Sequence, residues 1–506
     1  MKKVILTLVF FCSFALALAV VPKAKLDKQM ILKDKTDSIY LLLTFDVAKI
    51  KADNNRSSLN LSLVIDRSGS MSNKGKLQYA KKASKMIVDK LNSSDILSII
   101  EYDGAVNILW PSSPVFSKKM INKRIDTLFP RGSTNLTGGM VKGADEVKKN
   151  YNQQKINRVI LLSDGMANQG ITSQYEINKI VSKYKSKGIA ISTMGLGLSY
   201  NEDLMQSIAE YGGGKYYYIE SPSQMNSIFA EEINTLFTTV AKDVKLEFKA
   251  QDFVKKMEVF EFKSTIQNNT TNIEMSDFFS EDNRMVLIKL DVEPKKLGKI
   301  ILGHLNLKYL DMAKNKPSGI NFAIEVEVTD SQKLVNESLN IDVKSEVVMM
   351  ETEREHKKYT KMYEEGNTAP ARMGIEKLAK KVKLINANLK NVLLEKKIEA
   401  LNMEKEEIDE AEKNLQNRSR YLKNSKSRSY HNLKGSKTKI VQQVGDKGYD
   451  VKQLQKKLKA KNLYKGEIDG SYDEELKKSV EQYQQQNRIK SDGVAGPRTL
   501  KKLELY

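Results

Sequence analysis

Residues 63–72 read LVIDRSGSMS, so an apolar run ends on Asp66 and Ser68 and Ser70 follow at once. One carboxylate and two hydroxyls in a single turn fit three chemistries: a helix cap, an activated nucleophile, or part of a metal shell. A cap fits because Ser72 or Asn73 could start a helical pattern at Lys76. A nucleophilic serine needs a base in reach, ordinarily histidine. The chain has three histidines, His304, His356 and His431, and all lie far along the sequence from these serines. Neither serine sits in a G-x-S-x-G elbow. A hard cation such as Mg²⁺ takes oxygen ligands in near-octahedral array. The D-x-S-x-S spacing, with Gly69 easing the turn, offers one carboxylate and two hydroxyls but falls short of a full shell.

Two later segments can add donors. RGSTNLTGG places Thr134 in a glycine-flanked loop, and LLSDG places Asp164 at the end of another apolar run. The elements that must position these residues alternate. LNLSLVID, DILSIIEY, AVNILW, INRVILLS, GIAISTMGL and GKYYYIE read as strands, with helical patterns such as KLQYAKKASKMIVDKL and QYEINKIVSKYKSK between them. Such alternation predicts a mostly parallel, doubly wound sheet with helices on both faces. Ligands bind such sheets at the carboxyl ends of strands, where Asp66 stands.

Asp66, Ser68 and Ser70, with Thr134 and Asp164 in that order and the phrase RVILLSDGMANQG, resemble the metal-ion-dependent adhesion site of von Willebrand factor A domains. The resemblance spans residues 59–240. It implies a Rossmann-like α/β fold and Mg²⁺, Mn²⁺ or Ca²⁺ held by those five residues. It also implies a Glu or Asp from a protein partner that completes the shell. Neutral hydroxyls leave the ion under-compensated, so an incoming carboxylate gains by binding.

After residue 240 the pattern changes. VKLEFKA, MEVFEFKS, RMVLIKLDV, KIILGHLNLKYL and INFAIEVEV follow without helices between them, which predicts an antiparallel β-sandwich over 241–345. An early strand near residues 38–50, within a segment 20–58, is expected to join that sandwich, making the α/β unit an insertion. Residues 346–417 are charged and helical. Ile375, Leu378, Val382, Ile385, Leu389 and Val392 step by three and four before Lys396 and Glu399 break the register, which favours a packed hairpin or bundle over a coiled coil. Between Arg418 and Lys439 there are eight Lys or Arg and no acidic residue, read as a basic flexible linker over 418–444.

The last unit, 445–506, carries Val451, Leu454, Leu458 and Leu463 on one helix and its exit. Val480, Tyr483 and Gln484 fall on a second helix, and turns at Asp492-Gly493 and Gly496-Pro497 precede a short third helix at Thr499. With IDGSY and DGVAGPRTL, residues 445–503 resemble the small three-helix peptidoglycan-binding domain, which implies peptidoglycan as ligand. Leu476, often Thr in that family, and Asp473-Glu474, often Gly-Pro, are departures.

Lys2 and Lys3 precede the apolar run VILTLVFFCSFALAL, and Ala17-Leu18-Ala19 offers a cleavage site, so residues 1–19 are expected to be a secretory signal peptide. Cys12, the only cysteine, lies inside it, and a mature chain would have no thiol. No later stretch reaches the roughly 18 apolar residues of a spanning helix. The 506 residues predict three or more units, and the formal charge of +21 predicts attraction to anionic polymers. Export makes nucleic acid an unexpected target and a periplasmic, wall or surface location the expected one. Scattered histidines cannot build a zinc amidase, and a chain without thiols cannot be a cysteine transpeptidase. The expectation is a wall-anchored binding protein that is not an enzyme. The alternatives are an envelope scaffold with a structural metal and, with least support, a peptidoglycan hydrolase.

Overall fold

The first strands belong to a sandwich that the chain completes only after the α/β unit. A computed structural model describes residues 18–50, 56–280, 282, 284–434, 442–446, 449–503 and 505. The expected signal peptide therefore lies almost wholly outside the described residues, as does the 435–441 part of the expected linker. Strands β1 (Val20–Leu26), β2 (Met30–Leu32) and β3 (Asp37–Val47) come first. The α/β unit then runs β4 (Leu59–Asp66), α1 (Lys76–Lys90), β5 (Ile96–Tyr102), β6 (Val106–Pro114), α2 (Lys118–Asp126) and α3 (Leu136–Lys149). It continues with β7 (Ile156–Ser163), α4 (Gln174–Lys185), β8 (Ala190–Leu196), α5 (Glu202–Gly212), β9 (Gly213–Ile219) and α6 (Met225–Phe237).

Its sheet has the order β6-β5-β4-β7-β8-β9 and is parallel except for the edge strand β6. All eight positions of β4 and of β7 are buried, because helices cover both faces of these central strands. One face packs on α1, α2 and α6 through residues such as Leu63, Ile87, Ile121 and Phe229, the other on α3, α4 and α5 through Val64, Met140, Val181 and Leu204.

The sandwich resumes with β10 (Thr239–Ala250), β11 (Val254–Val259), β12 (Ser264–Gln267), β13 (Thr270–Glu274), β14 (Phe278–Phe279), β15 (Met285–Val292), β16 (Gly298–Asp311) and β17 (Lys316–Thr329). Strand β3 lies between β1 and β15, with Thr44 opposite Met285 and Asp37 opposite Val292, so the α/β unit is inserted in the sandwich. The apolar run of β3 is explained by two partners. Ile39, Leu41 and Leu43 face the sandwich core with Phe248 and Leu305, while Tyr40 and Leu42 face Val343 and Val347 of a later helix. The hairpin of β12 and β13 is short and polar and left no clear trace in the sequence pattern. Arg158 of β7 pairs with Asp277 at 3.2 Å and Lys242 donates to the carbonyl of Lys155 at 2.6 Å, which ties the two units together.

Helices α7 (Gln332–Glu337), α8 (Ile341–Glu364), α9 (Thr368–Leu389), α10 (Val392–Ala411) and α11 (Leu415–Leu433) follow. The α9 stripe of Ile375, Leu378 and Val382 is buried, and the chain breaks at Lys390 in the left-handed region, so Val392 begins a new helix and is exposed. The expected linker needs correction. Residues 415–433 form a docked helix, not a flexible spacer. Tyr421, Ser425, Ser429 and Leu433 recur every fourth residue and are buried, the two serines allowing close approach. The missing acidic partners come from other elements. Arg420 pairs with Glu220 at 2.7 Å, Lys426 with Asp203 at 3.0 Å, Lys434 with Glu210 at 2.7 Å, and Arg428 with Glu407 at 2.7 Å.

The terminal unit consists of α12 (Tyr449–Ala460), α13 (Glu474–Gln486) and α14 (Pro497–Lys502) around Leu454, Leu458, Leu476, Val480 and Leu500. Both sequence departures have local causes. Asp473 accepts from the backbone N–H of Leu476 at 2.7 Å as the cap of α13, and Leu476 fills the core. The unit touches the rest of the chain where Gln224 donates to Asp446 at 2.5 Å and Lys456 pairs with Glu399 at 2.8 Å.

Hydrogen exchange of the intact protein should find amides within 418–433 slowed by roughly 100-fold or more relative to free chain. Free-chain exchange across that stretch would restore the linker.

Candidate metal site

Asp66 ends β4 and Asp164 follows directly on β7, so adjacent parallel strands deliver two carboxylates to the same edge of the sheet. The loop after β4 turns back at once. The Ser68 N–H donates to Asp66 Oδ1 at 2.8 Å, and the Gly69 N–H donates to the Gly132 carbonyl at 3.1 Å, joining this loop to the one that carries Thr134. Ser68 Oγ and Ser70 Oγ lie 3.1 Å apart, and Ser70 Oγ donates to Asp164 Oδ1 at 2.7 Å. A Cβ placed on Gly165 would stand 3.4 Å from Thr134 Oγ1 and 3.6 Å from Ser70 Oγ, so both hydroxyls surround that glycine. All five expected residues therefore converge. The cap reading fails in detail, because the residue preceding α1 is Gly75 in the left-handed region and Ser72 Oγ donates to the Gly69 carbonyl instead.

Supporting groups that sequence reasoning passed over hold these donors. Ser163, the residue before Asp164, donates to Asp66 Oδ2 at 2.9 Å, and the Tyr102 hydroxyl donates to the Leu162 carbonyl at 2.8 Å beside it. Asn168 braces Thr134 twice, its Oδ1 accepting from the Thr134 N–H at 2.9 Å and its own N–H donating to the Thr134 carbonyl at 3.2 Å. Arg67 and Arg131 pair with Asp103 at 3.0 and 2.9 Å. Lys76 reaches Asp164 Oδ2 at 2.6 Å. Ser163 and Asn168 lie inside RVILLSDGMANQG, Arg67 inside LVIDRSGSMS and Arg131 inside RGSTNLTGG, but their spacing gave them no role, and Tyr102 lies outside all three stretches.

Asp66 and Asp164 are fully buried. Burial, and then the charge of Asp164, pushes the Asp66 carboxyl up to about 6 against the lowering effect of its bonds from Ser68 and Ser163. Two buried carboxylates ringed by hydroxyls form an oxygen donor set that fits a hard divalent cation. No group of three or more His, Cys, Asp or Glu side chains is placed to hold a metal among the described residues. The histidines stay apart: His304 lies on β16, His356 on α8 and His431 on α11. None can serve Ser68 or Ser70 as a base.

Residues 60–231, nearly the whole of the α/β unit, match the family model of the von Willebrand factor type A domain. Residues 447–503 match the model of a peptidoglycan binding domain. Among curated proteins, the chain is 35% identical over 210 residues to the uncharacterized protein YfbK of Escherichia coli (strain K12), covering 41% of this chain and 36% of that one. It is 26% identical over 280 residues to the uncharacterized protein sll0103 of Synechocystis sp. (strain ATCC 27184 / PCC 6803 / Kazusa), covering 53% and 66%. The chain thus spans between about a third and two thirds of these relatives. In fold it is similar to a von Willebrand factor type A protein from Catenulispora acidiphila, with TM-score 0.59, 15% identity, and 71% and 85% of the two chains covered. The ArnB paralog VWA2 from Sulfolobus acidocaldarius aligns with TM-score 0.53 and 18% identity over 81% and 98%. No described helix is long and apolar enough to cross a membrane.

The Asp66 shift carries a sign. The folded, metal-free protein holds this proton at pH values where the unfolded chain has lost it, so the contribution is present near pH 4 and lost as pH rises through about 6. Metal-free wild type should therefore lose stability relative to Asp66→Asn between pH 4 and 7, read by parallel thermal melts. Superimposable pH profiles would contradict the buried-carboxylate account.

Proposed function

We propose that this protein is an exported bacterial envelope binding protein, not an enzyme, whose C-terminal unit holds peptidoglycan while its metal site captures a protein partner. Asp66, Ser68, Ser70, Thr134 and Asp164 would hold Mg²⁺, or Mn²⁺ or Ca²⁺, and a partner's Glu or Asp would complete the shell. The observation that carries this reading is the convergence of those five side chains at the edge of the central sheet. When bound, the ion supplies an electrophilic position for an anionic oxygen. The protein's part is to hold the donors: Ser163 and the Ser68 N–H orient Asp66, and Asn168 orients Thr134. The peptidoglycan-binding match at 447–503 and the positive charge of the chain support wall anchoring.

A second reading, an envelope scaffold, is favoured by the docking of α11 and of the terminal unit. A head held this close to its anchor has little reach, which suits assembly next to the wall more than capture at a distance.

Asp66→Ala should abolish Mg²⁺-dependent recovery of a crosslinked partner from the producing cells while leaving co-sedimentation with purified sacculi intact. Deleting residues 440–506 should do the reverse. Equal loss of both activities in either variant would sink the division of labour, and muropeptide release from sacculi would reinstate a hydrolase.

A further inference from the structure

Lys76 is a cation in direct contact with one of the expected metal donors. Its ammonium lies 2.6 Å from Asp164 Oδ2, while Asp164 Oδ1 accepts from Ser70. The side chain is largely withdrawn from solvent, 12% exposed, and its stem runs under Gly197, where a Cβ would stand 3.7 Å from Cε and Nζ. Lys76 is also the first residue of α1, whose first turn has no acidic residue. A cation there opposes the partial positive charge of the helix N-terminus. The position is therefore unfavourable for lysine except through Asp164.

The neighbouring charges do not blur this arrangement. Arg67 and Arg131 are matched by Glu101 and Asp103. Lys74 is exposed, where solvent screens it. What faces the metal position is Asp66, Asp164 and Lys76, two carboxylates against one ammonium, which leaves a single negative charge.

We propose that Lys76 is a built-in countercharge that makes metal binding depend on the partner's carboxylate. The inference rests on the metal reading above and deepens it. With Lys76 in place, a divalent ion keeps one uncompensated positive charge in a buried setting, and an incoming carboxylate cancels it. Without Lys76, Asp66 and Asp164 already neutralise the ion, and the carboxylate gains little. Metal and acidic ligand then bind weakly apart and tightly together, and the coupling is reciprocal. Lys76 also occupies Asp164 Oδ2, which holds the carboxylate with Oδ1 turned toward Ser70. It is a positioning and charge-setting residue, not a ligand.

Mn²⁺ binding to the full chain, followed by the electron paramagnetic resonance of free Mn²⁺ with and without saturating acetate, tests this. Wild type should gain roughly 10-fold in Mn²⁺ affinity from acetate. Lys76→Met should bind Mn²⁺ alone about 10-fold more tightly than wild type and lose most of the acetate gain. Lys76→Gln, which keeps a donor to Asp164 without the charge, should behave like Lys76→Met and serves if that variant does not fold. Lys76→Arg should stay near wild type. Folded neutral variants with unchanged or weaker Mn²⁺ affinity, or with the full acetate gain, would overturn the inference alone. Absence of Mn²⁺ binding to wild type would overturn the metal reading together with it.

Discussion

Two buried carboxylates side by side set the terms for the rest of this structure. Asp66 and Asp164 arrive on neighbouring parallel strands because β4 and β7 pair in register up to Ile65 and Leu162. Like charges taken out of water repel and resist ionisation. The loops answer with hydroxyls from Ser68, Ser70 and Ser163, with backbone N–H donation, and with the Lys76 ammonium. These groups are neutral or singly charged, so the site is satisfied in hydrogen bonds before it is satisfied in charge. On the proposed reading, that gap is what a divalent ion and an external carboxylate would fill.

The second organising fact is the insertion. The α/β unit enters and leaves through the sandwich, whose β3 and β10 flank it, so its two ends are fixed by a separate core. Buried Arg158 with Asp277 and Lys242 with Lys155 add polar ties across the junction. The helical region closes over the other side, where Tyr430 of α11 meets Tyr216 of β9 edge-on, with ring centroids 5.6 Å apart. The loop between β8 and α5 is gripped from both directions: Lys76 passes Gly197, and Lys423 donates to the Tyr200 carbonyl at 3.0 Å. The candidate metal site and the helix that precedes the terminal unit thus share one short stretch of chain.

Much of this was legible because it is written in local pattern. Alternating apolar runs marked all six strands of the mostly parallel sheet, and the D-x-S-x-S turn with Thr134 and Asp164 marked the candidate site, since each donor follows a strand end or lies in a glycine-flanked loop. The three-helix terminal unit was readable from its buried spacing and paired turn glycines. The segment 418–433 misled for a physical reason. No acidic residue lies within it, and the partners of Arg420, Lys426 and Arg428, namely Glu220, Asp203 and Glu407, belong to β9's exit, α5 and α10.

The sequence by itself determined which residues could bind a cation, because donor type and spacing along a loop are local properties. Only the tertiary structure decided which charges oppose one another across it. Whether Lys76 points at Asp164, whether Ser163 turns toward Asp66, and whether a basic segment floats or docks depend on groups that meet through space. Electrostatic energy depends on those distances and on burial, and neither is encoded in the order of residues along one segment.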